Sequence, residues 1–252
     1  PVVVLLHAVE NLPVDWERRS SSIRTTDTQA TFTQVMPGRF ALTARDDTGR
    51  VASPHEVVLG ADQEQTVTLE FTATASVSGT LVDPEGRPVP EATVAALAEH
   101  AVPAGSTRTD AQGRFTLGDL APGKTTILAS KGQQCCTHAC RLEEGSAADV
   151  ELVMVEGGSV LVQVVDSAGR AQGANVRLLD AAQREYVPLS TSDSYSSSAK
   201  NLAEVQLSRS SFDALPPGRY TIRARTLVAG NVAEGSVLIE AGERKIKTLI
   251  AD

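Results

Sequence analysis

The residues with the most obvious capacity for chemistry lie together in residues 135–140, which read CCTHAC. On an extended strand Cys136, His138 and Cys140 share one face, and thiolate and imidazole groups are ligands for zinc or copper. Successive side chains on one face of a strand are about 6.6 Å apart, so a single ion would hold all three only if the strand bends. These residues are weak candidates for a metal site, and we predict no bound cofactor.

A disulfide is the second interpretation of the same segment. Cys140 could pair with Cys135 or with Cys136, provided that the chain folds back until the two Cα atoms lie within about 7 Å of each other. Three free thiols are the third interpretation. Because the cysteine count is odd, a disulfide would leave one thiol over, and we predict that this thiol pairs between molecules.

Nothing else in the sequence points to catalysis. The nine aromatic residues and four histidines are few, the histidines lie in separate segments, and no nucleophile-elbow, zinc-peptidase, phosphate-loop or dinucleotide motif is present. We therefore predict no catalytic residues and a protein that is not an enzyme. The histidines are His7, His55, His100 and His138.

Acidic residues recur in short polar segments. Asp46 with Asp47, Asp83 with Glu85, and Asp110 could contribute oxygen ligands to calcium, but each group has too few carboxylates unless two loops meet. The alternative is that these aspartates form turns by bonding to their own backbone, and we favour it.

Composition narrows the class of partner. The 252 residues contain 31 acidic and 23 basic side chains, a formal charge of −8, and no basic cluster, which excludes nucleic acid as an expected partner. No apolar run approaches the roughly 18 residues of a membrane-spanning segment. Hydrophobic residues make up 41%, which is typical of a folded chain.

Internal repeats predict the elements that position these residues. A Pro-Gly turn followed by a strand occurs at Gly38, Gly123 and Gly218, and an Asp-x-x-Gly-Arg turn is centred on Gly86 and on Gly169. Alternating segments at 66–71, 149–154 and 245–250 would close the three units. Short alternating strands every 8–12 residues, joined by turn chemistry, predict antiparallel β-sandwiches.

Residues 76–130 resemble the carboxypeptidase regulatory-like domain family. The resemblance rests on the hairpin at 79–88, on Thr109-Asp110-x-x-Gly113-x-Phe115 and on Leu120-x-Pro122-Gly123. It implies a prealbumin-like, Ig-like sandwich for this segment. The third unit shares part of the pattern, from Asp166 and Gly169 to Leu215-x-Pro217-Gly218-x-Tyr220, and the first unit shares it only from about Thr31 onward.

We therefore predict an all-β chain of three tandem prealbumin-like sandwiches in a rod. The predicted domains are 1–72, N-terminally incomplete, then 73–156, and 157–252 with a Ser-rich insert near 190–200 in which Tyr195 marks a contact loop. The related Cna-B-like modules form a lysine–asparagine isopeptide bond. We do not expect one here, since no lysine precedes Lys124.

The resemblance and the Arg-rich, Lys-poor composition point to a structural or interaction module of a larger exported bacterial protein. It would act as a stalk, adhesive or assembly scaffold at the cell envelope, in the periplasm or on the cell surface. Its expected partners are other envelope or surface proteins, bound through β-edges, or glycans. Two alternatives are a carbohydrate-binding accessory module of a secreted hydrolase and a docking subunit of a secretion or motility complex.

Overall fold

A computed structural model describes residues 1–9, 20–99, 102–181 and 209–252. The described chain contains eighteen β-strands and no α-helix, which confirms the predicted all-β class. The strands are β1 Val2–Ala8, β2 Ser20–Thr25, β3 Gly38–Asp46, β4 Val51–Leu59, β5 Ala75–Val82, β6 Thr93–Leu97, β7 Pro103–Arg108, β8 Arg114–Leu120, β9 Gly123–Lys131, β10 Gln134–Leu142, β11 Ala147–Val153, β12 Val155–Glu156, β13 Gly158–Val165, β14 Ala174–Leu179, β15 Arg209–Leu215, β16 Gly218–Thr226, β17 Val232–Ile239 and β18 Arg244–Ile250.

These strands form five sheets, and the described residues divide into two compact units. The sheet orders are β2-β1-β3-β4, β12-β10-β9-β6-β7, β11-β5-β8, β15-β13-β18 and β14-β16-β17. The first unit comprises residues 1–128 and 137–152, and the second comprises residues 129–136 and 153–252. The division into domains 1–72, 73–156 and 157–252 stays a prediction.

The first unit begins with a single antiparallel sheet, β2-β1-β3-β4, centred on β1 and β3. Leu6, Ala8 and Phe40 form its buried cluster, against which Phe32 and Leu42 pack. The segment predicted to close this unit, 66–71, is not a strand. Its alternate residues are only partly covered, because the described chain offers it a single bridge near its end, between Thr72 and Val51.

The rest of the first unit follows the period-two pattern predicted for a half-buried sheet. In β5 the residues Val77, Gly79 and Leu81 are buried and their neighbours are partly covered. The alanine-rich segment after Pro90 forms β6 rather than a helix, as predicted, and four of its five residues are buried. Strands β11 and β18 both form where closing strands were predicted.

The second unit contains a clear two-sheet sandwich. Inward-facing residues of β13 and β15, such as Val162 and Phe212, meet those of β14, β16 and β17, such as Leu178, Ile222 and Ile239, in one buried cluster. The sandwich is not wholly antiparallel, because β13 and β18 pair in parallel. This pairing joins strands from opposite ends of the unit, so local turn signals did not reveal it.

The part of the chain that the structure describes contains no helix that could span a membrane. The predicted Ser-rich insert near 190–200, with its candidate contact residue Tyr195, lies outside the described residues, as does His100.

Candidate functional site

Each Pro-Gly turn begins a strand of nine residues, as predicted from the repeat. Gly38, Gly123 and Gly218 are the first residues of β3, β9 and β16. The residue two positions further on is buried in all three strands: it is Phe40, Thr125 or Tyr220. The turn therefore sets the register in which each strand presents its inner face.

Four Asp-x-x-Gly-Arg segments, which we call the aspartate turns, share one hydrogen-bond arrangement. In each turn the aspartate Oδ1 accepts hydrogen bonds from the backbone N–H groups two and four residues later, at 2.8–3.0 Å. Its Oδ2 accepts the arginine Nε–H at 2.6–2.8 Å. The glycine has φ between +72° and +88°, which a side chain would strain. The turns span residues 46–50, 83–87, 110–114 and 166–170.

These contacts keep the aspartates ionised. Burial by itself raises the pKa of Asp46, but hydrogen bonds from Thr48 and Arg50 outweigh it and lower that pKa from 3.8 to about 2. In Asp110 and Asp166 the largest cause is the backbone N–H of the arginine four residues later, and it lowers the pKa of both carboxyls. The pKa of Asp83 is also lowered, since hydrogen bonds from Arg87 outweigh the effect of burial.

The carboxylates of Asp46, Asp83 and Asp110, which were considered as calcium ligands, already accept hydrogen bonds inside their own turns. Among the described residues, no three His, Cys, Asp or Glu side chains form a group that could hold a metal ion. The sequence argument identified the turns at Gly86, Gly113 and Gly169. It favoured a turn at Asp46 as well but did not recognise the same five-residue spacing at 46–50, which carries the most buried of the four aspartates.

The cysteine segment lies on β10, which runs as one strand from Gln134 to Leu142. Cys136, His138 and Cys140 occupy alternate, partly covered positions, whereas Cys135 faces the other way and is buried. All three thiols are free. Because the strand does not fold back, the structure does not bring the candidate ligands or the candidate disulfide partners together.

Burial makes these thiols poor nucleophiles. It raises the pKa of Cys135 to about 12, with a smaller contribution from Cys136, and it also raises the pKa of Cys136 and Cys140. Burial is likewise the main cause that raises the pKa of Tyr220, and Cys135 adds to it. The Tyr220 hydroxyl donates a hydrogen bond to the Pro216 carbonyl at 2.7 Å, which ties the start of β16 to the preceding turn.

The predicted boundary at Gly157-Gly158 is tightly packed. The Gly157 N–H donates to the Gln133 carbonyl at 2.8 Å, and a Cβ on Gly157 would lie 2.8 Å from that oxygen and from the Ala214 Cα. A Cβ on Gly158 would lie 2.5 Å from the Glu240 carbonyl oxygen. Only glycine fits at either position, so this part of the second unit is a close backbone contact and not a loose linker.

A second close contact lies in the first unit. The Arg45 guanidinium donates to the Asp119 carbonyl at 2.8 Å and to the Ala104 carbonyl at 3.3 Å. The Ser53 hydroxyl donates to the Pro122 carbonyl at 3.0 Å. Residues of β3 and β4 are thereby joined to the ends of β7 and β8 and to the turn before β9.

Comparison with known proteins finds a family match for part of the chain. The model of the carboxypeptidase regulatory-like domain family matches residues 76–155. A search of curated proteins gives no match.

Among solved structures, the chain is similar to the Bacillus anthracis TIE protein, with 15% identity, a TM-score of 0.29, and coverage of 99% of this chain and 52% of that one. It is also similar to a streptococcal ancillary pilin, with 11% identity, a TM-score of 0.31 and coverage of 100% and 92%. The minor pilin GBS52 of Streptococcus agalactiae gives 13% identity, a TM-score of 0.32 and coverage of 70% and 94%. The chain spans about half the length of the Bacillus anthracis protein.

The match to the family model covers the hairpin at 79–88 and the two turns on which the sequence resemblance rested. It includes two of the four aspartate turns and strands β5 to β11. Residues 76–155 are therefore similar to the carboxypeptidase regulatory-like domain family.

Proposed function

We propose that this chain is a non-enzymatic structural and interaction module of a larger exported bacterial protein, acting as a stalk, adhesive or assembly scaffold at the cell envelope. In this proposal the three predicted domains, 1–72, 73–156 and 157–252, follow one another without flexible linkers. The observation that carries the proposed stiff scaffold is the packing of Gly157 and Gly158 at the boundary between the second and third predicted domains. The backbones of these glycines contact their neighbours too closely to admit a side chain.

The use of polar groups supports the same proposal. The recurring aspartates and arginines bond to each other inside their own turns, and the thiols of β10 have raised pKa values. Groups arranged in this way stabilise turns and strands and are not poised for proton transfer or nucleophilic attack. The mechanism of such a module is mechanical, since hydrogen-bonded ladders resist separation and their outer surfaces make the contacts.

The scaffold mechanism can be tested at the predicted boundary Gly157-Gly158, which we call the junction. Glu156 directly precedes Gly157, so a glutamate-specific protease should cut there if the junction opens. We expect the wild-type bond to resist cleavage and Gly157→Val to be cut rapidly. Gly218→Ala is the matched control, because its Cβ would meet no atom closer than 3.9 Å. Rapid cleavage of the wild type after Glu156 would contradict a stiff junction.

The location is tested separately. Antibodies raised against the purified chain should label intact cells of the source bacterium, or its periplasmic fraction, without lysis. A signal confined to the cytosolic fraction would overturn the proposed place at the envelope.

A further inference from the structure

Among the described residues, strand β18 is the last strand of the sheet β15-β13-β18, and it leaves a row of β-branched residues exposed. Ile246 is 71% exposed and Ile250 is 62% exposed, with exposed Thr248 between them. All three are β-branched residues, which favour pairing in a sheet. On the same face, Leu161 and Val165 of β13 lie in register beside Ile246 and Ile250, so the row is continuous with apolar residues of the next strand.

The corresponding edge of the first unit is built differently. Strand β11 also ends its sheet, β11-β5-β8, and shows the same order of exposed, partly covered and buried positions as β18, with Leu152 at the position of Leu249. At the positions of Ile246 and Thr248, β11 carries exposed Asp149 and Glu151. Charged residues on an edge strand are a common means of preventing further strand addition. At these two exposed positions β11 carries acidic residues, whereas β18 carries the uncharged Ile246 and Thr248.

We propose that β18 is a docking strand, which accepts an extended segment of a partner protein as an additional strand of the sheet β15-β13-β18. The proposal rests on the proposed function as an interaction module and identifies its contact surface. Because β18 ends this sheet in the part of the chain that the structure describes, one row of its backbone N–H and C=O groups faces away from β13, and an added strand would satisfy them.

Charge indicates what the added strand is like. Residues 244–250 contain Arg244, Lys245 and Lys247 and no acidic residue, whereas the whole chain carries a formal charge of −8. Lys245 is paired with Glu243 at 2.9 Å, and Lys247 lies beside it on the side of the strand that faces β17. A partner strand with apolar residues at alternate positions and acidic residues between them would place apolar groups against Ile246 and Ile250 and carboxylates near the lysines.

In two registers the same charges also act against a second copy of β18. Antiparallel self-pairing centred on Lys247 places that lysine opposite itself, and a centre at Ile246 places Lys245 opposite Lys247. Like charges directly opposite each other destabilise a strand pair. The positive charge of residues 244–250 therefore favours an acidic strand of a different protein as the occupant, and a dimer is one outcome of the test.

The test uses the full chain and a fluorescein-labelled peptide of sequence Ser-Val-Glu-Val-Glu-Val-Ser, followed by fluorescence anisotropy. We expect saturable binding that weakens as sodium chloride is added, and at least tenfold weaker binding by a peptide with lysine in place of glutamate. Ile246→Glu and Ile250→Glu should each weaken binding at least tenfold while circular dichroism stays unchanged. Val153→Glu is the matched control on β11, at the position of Ile250, and should leave binding as it is.

Three results would overturn the proposal. The first is that the acidic peptide shows no saturable binding, and the second is that wild type and Ile246→Glu bind it equally well. The third is a stable dimer that Ile246→Glu dissociates, because a second copy of the chain would then be the occupant. Failure here leaves the envelope labelling and the protease test at Gly157 unaffected, so the two proposals can fail independently.

Discussion

Replacing Gly79 with alanine should strongly destabilise the protein, although the change adds only one methyl group. Gly79 is buried in β5, the central strand of the sheet β11-β5-β8. A Cβ at this position would overlap the carbonyl oxygen of Val150 on β11 and lie 3.0 Å from both the carbonyl carbon and the Cγ2 of that residue. Two of these three atoms belong to the backbone, so a side-chain rotation cannot relieve the overlap.

The size of the destabilisation follows from how far strands β5 and β11 must separate. Strands β5 and β11 would have to separate by about 1 Å, which would break or stretch two or three hydrogen bonds worth about 1 kcal/mol each. Overpacking a core typically costs 1–3 kcal/mol. We therefore expect Gly79→Ala to lower the free energy of unfolding by about 3 kcal/mol, which is a large share of the stability of a small domain.

Gly118→Ala is the control in the same sheet. Gly118 lies on β8, is exposed, and has no atom within 4 Å of its would-be Cβ. Alanine there should change the free energy of unfolding by less than about 1 kcal/mol, in the stabilising direction, because it restricts the unfolded chain. Urea unfolding followed by circular dichroism measures both variants. If the two free energies of unfolding agree within about 0.5 kcal/mol, the close approach of β5 and β11 is wrong.

Three further predictions concern the turns and the thiols. The carboxyl of Asp46 should titrate near pH 2 by carbon NMR. Because the pKa of Asp46 is lowered on folding, its contribution to stability should be complete above pH 3.8 and be lost as the pH falls towards 2. An Asp46→Asn variant should lack this pH dependence. A titration of Asp46 near pH 3.8 would contradict the turn geometry. Gly113→Ala should lower the free energy of unfolding, measured in urea, by more than Gly86→Ala does. Both positions need a positive φ, but only alanine at 113 places a Cβ 2.5 Å from a carbonyl oxygen, that of Leu81. Equal losses in the two variants would show that φ alone matters. Iodoacetamide should modify the folded chain slowly at pH 8, with Cys135 last, as read by mass spectrometry, and rapid labelling of that thiol would contradict its burial.

The aspartate turns show which features could be predicted from the residues alone. The hydrogen bonds that the four turns have in common join residues no more than four positions apart, so a short pattern contains every group of that shared arrangement. The same holds for the Pro-Gly turns, whose three strands begin at the predicted glycines. The family resemblance of residues 76–130 was predictable for this reason, since it consists of such local turns in a fixed order.

The cysteine segment shows where prediction from sequence stopped. Its alternatives depended on whether the chain bends between Cys135 and Cys140, and residue types do not specify that bend. In the structure the segment is one extended strand with Cys135 buried, because β10 pairs with the neighbouring strands β12 and β9 of its sheet. Disulfide pairing between molecules stays a prediction, and a non-reducing gel that shows only monomer would count against it.

The sequence by itself determined the class of fold, the positions of the turns and the segment that resembles a known domain family, since alternation and turn chemistry are properties of neighbouring residues. Only the tertiary structure decided which strands meet. It paired β18 with β13 in parallel, left 66–71 outside a ladder, packed Gly157 against its neighbours and exposed Ile246 at a sheet edge. Each of these depends on contacts between residues far apart in the chain, and a local pattern carries no information about which distant strand will lie beside it.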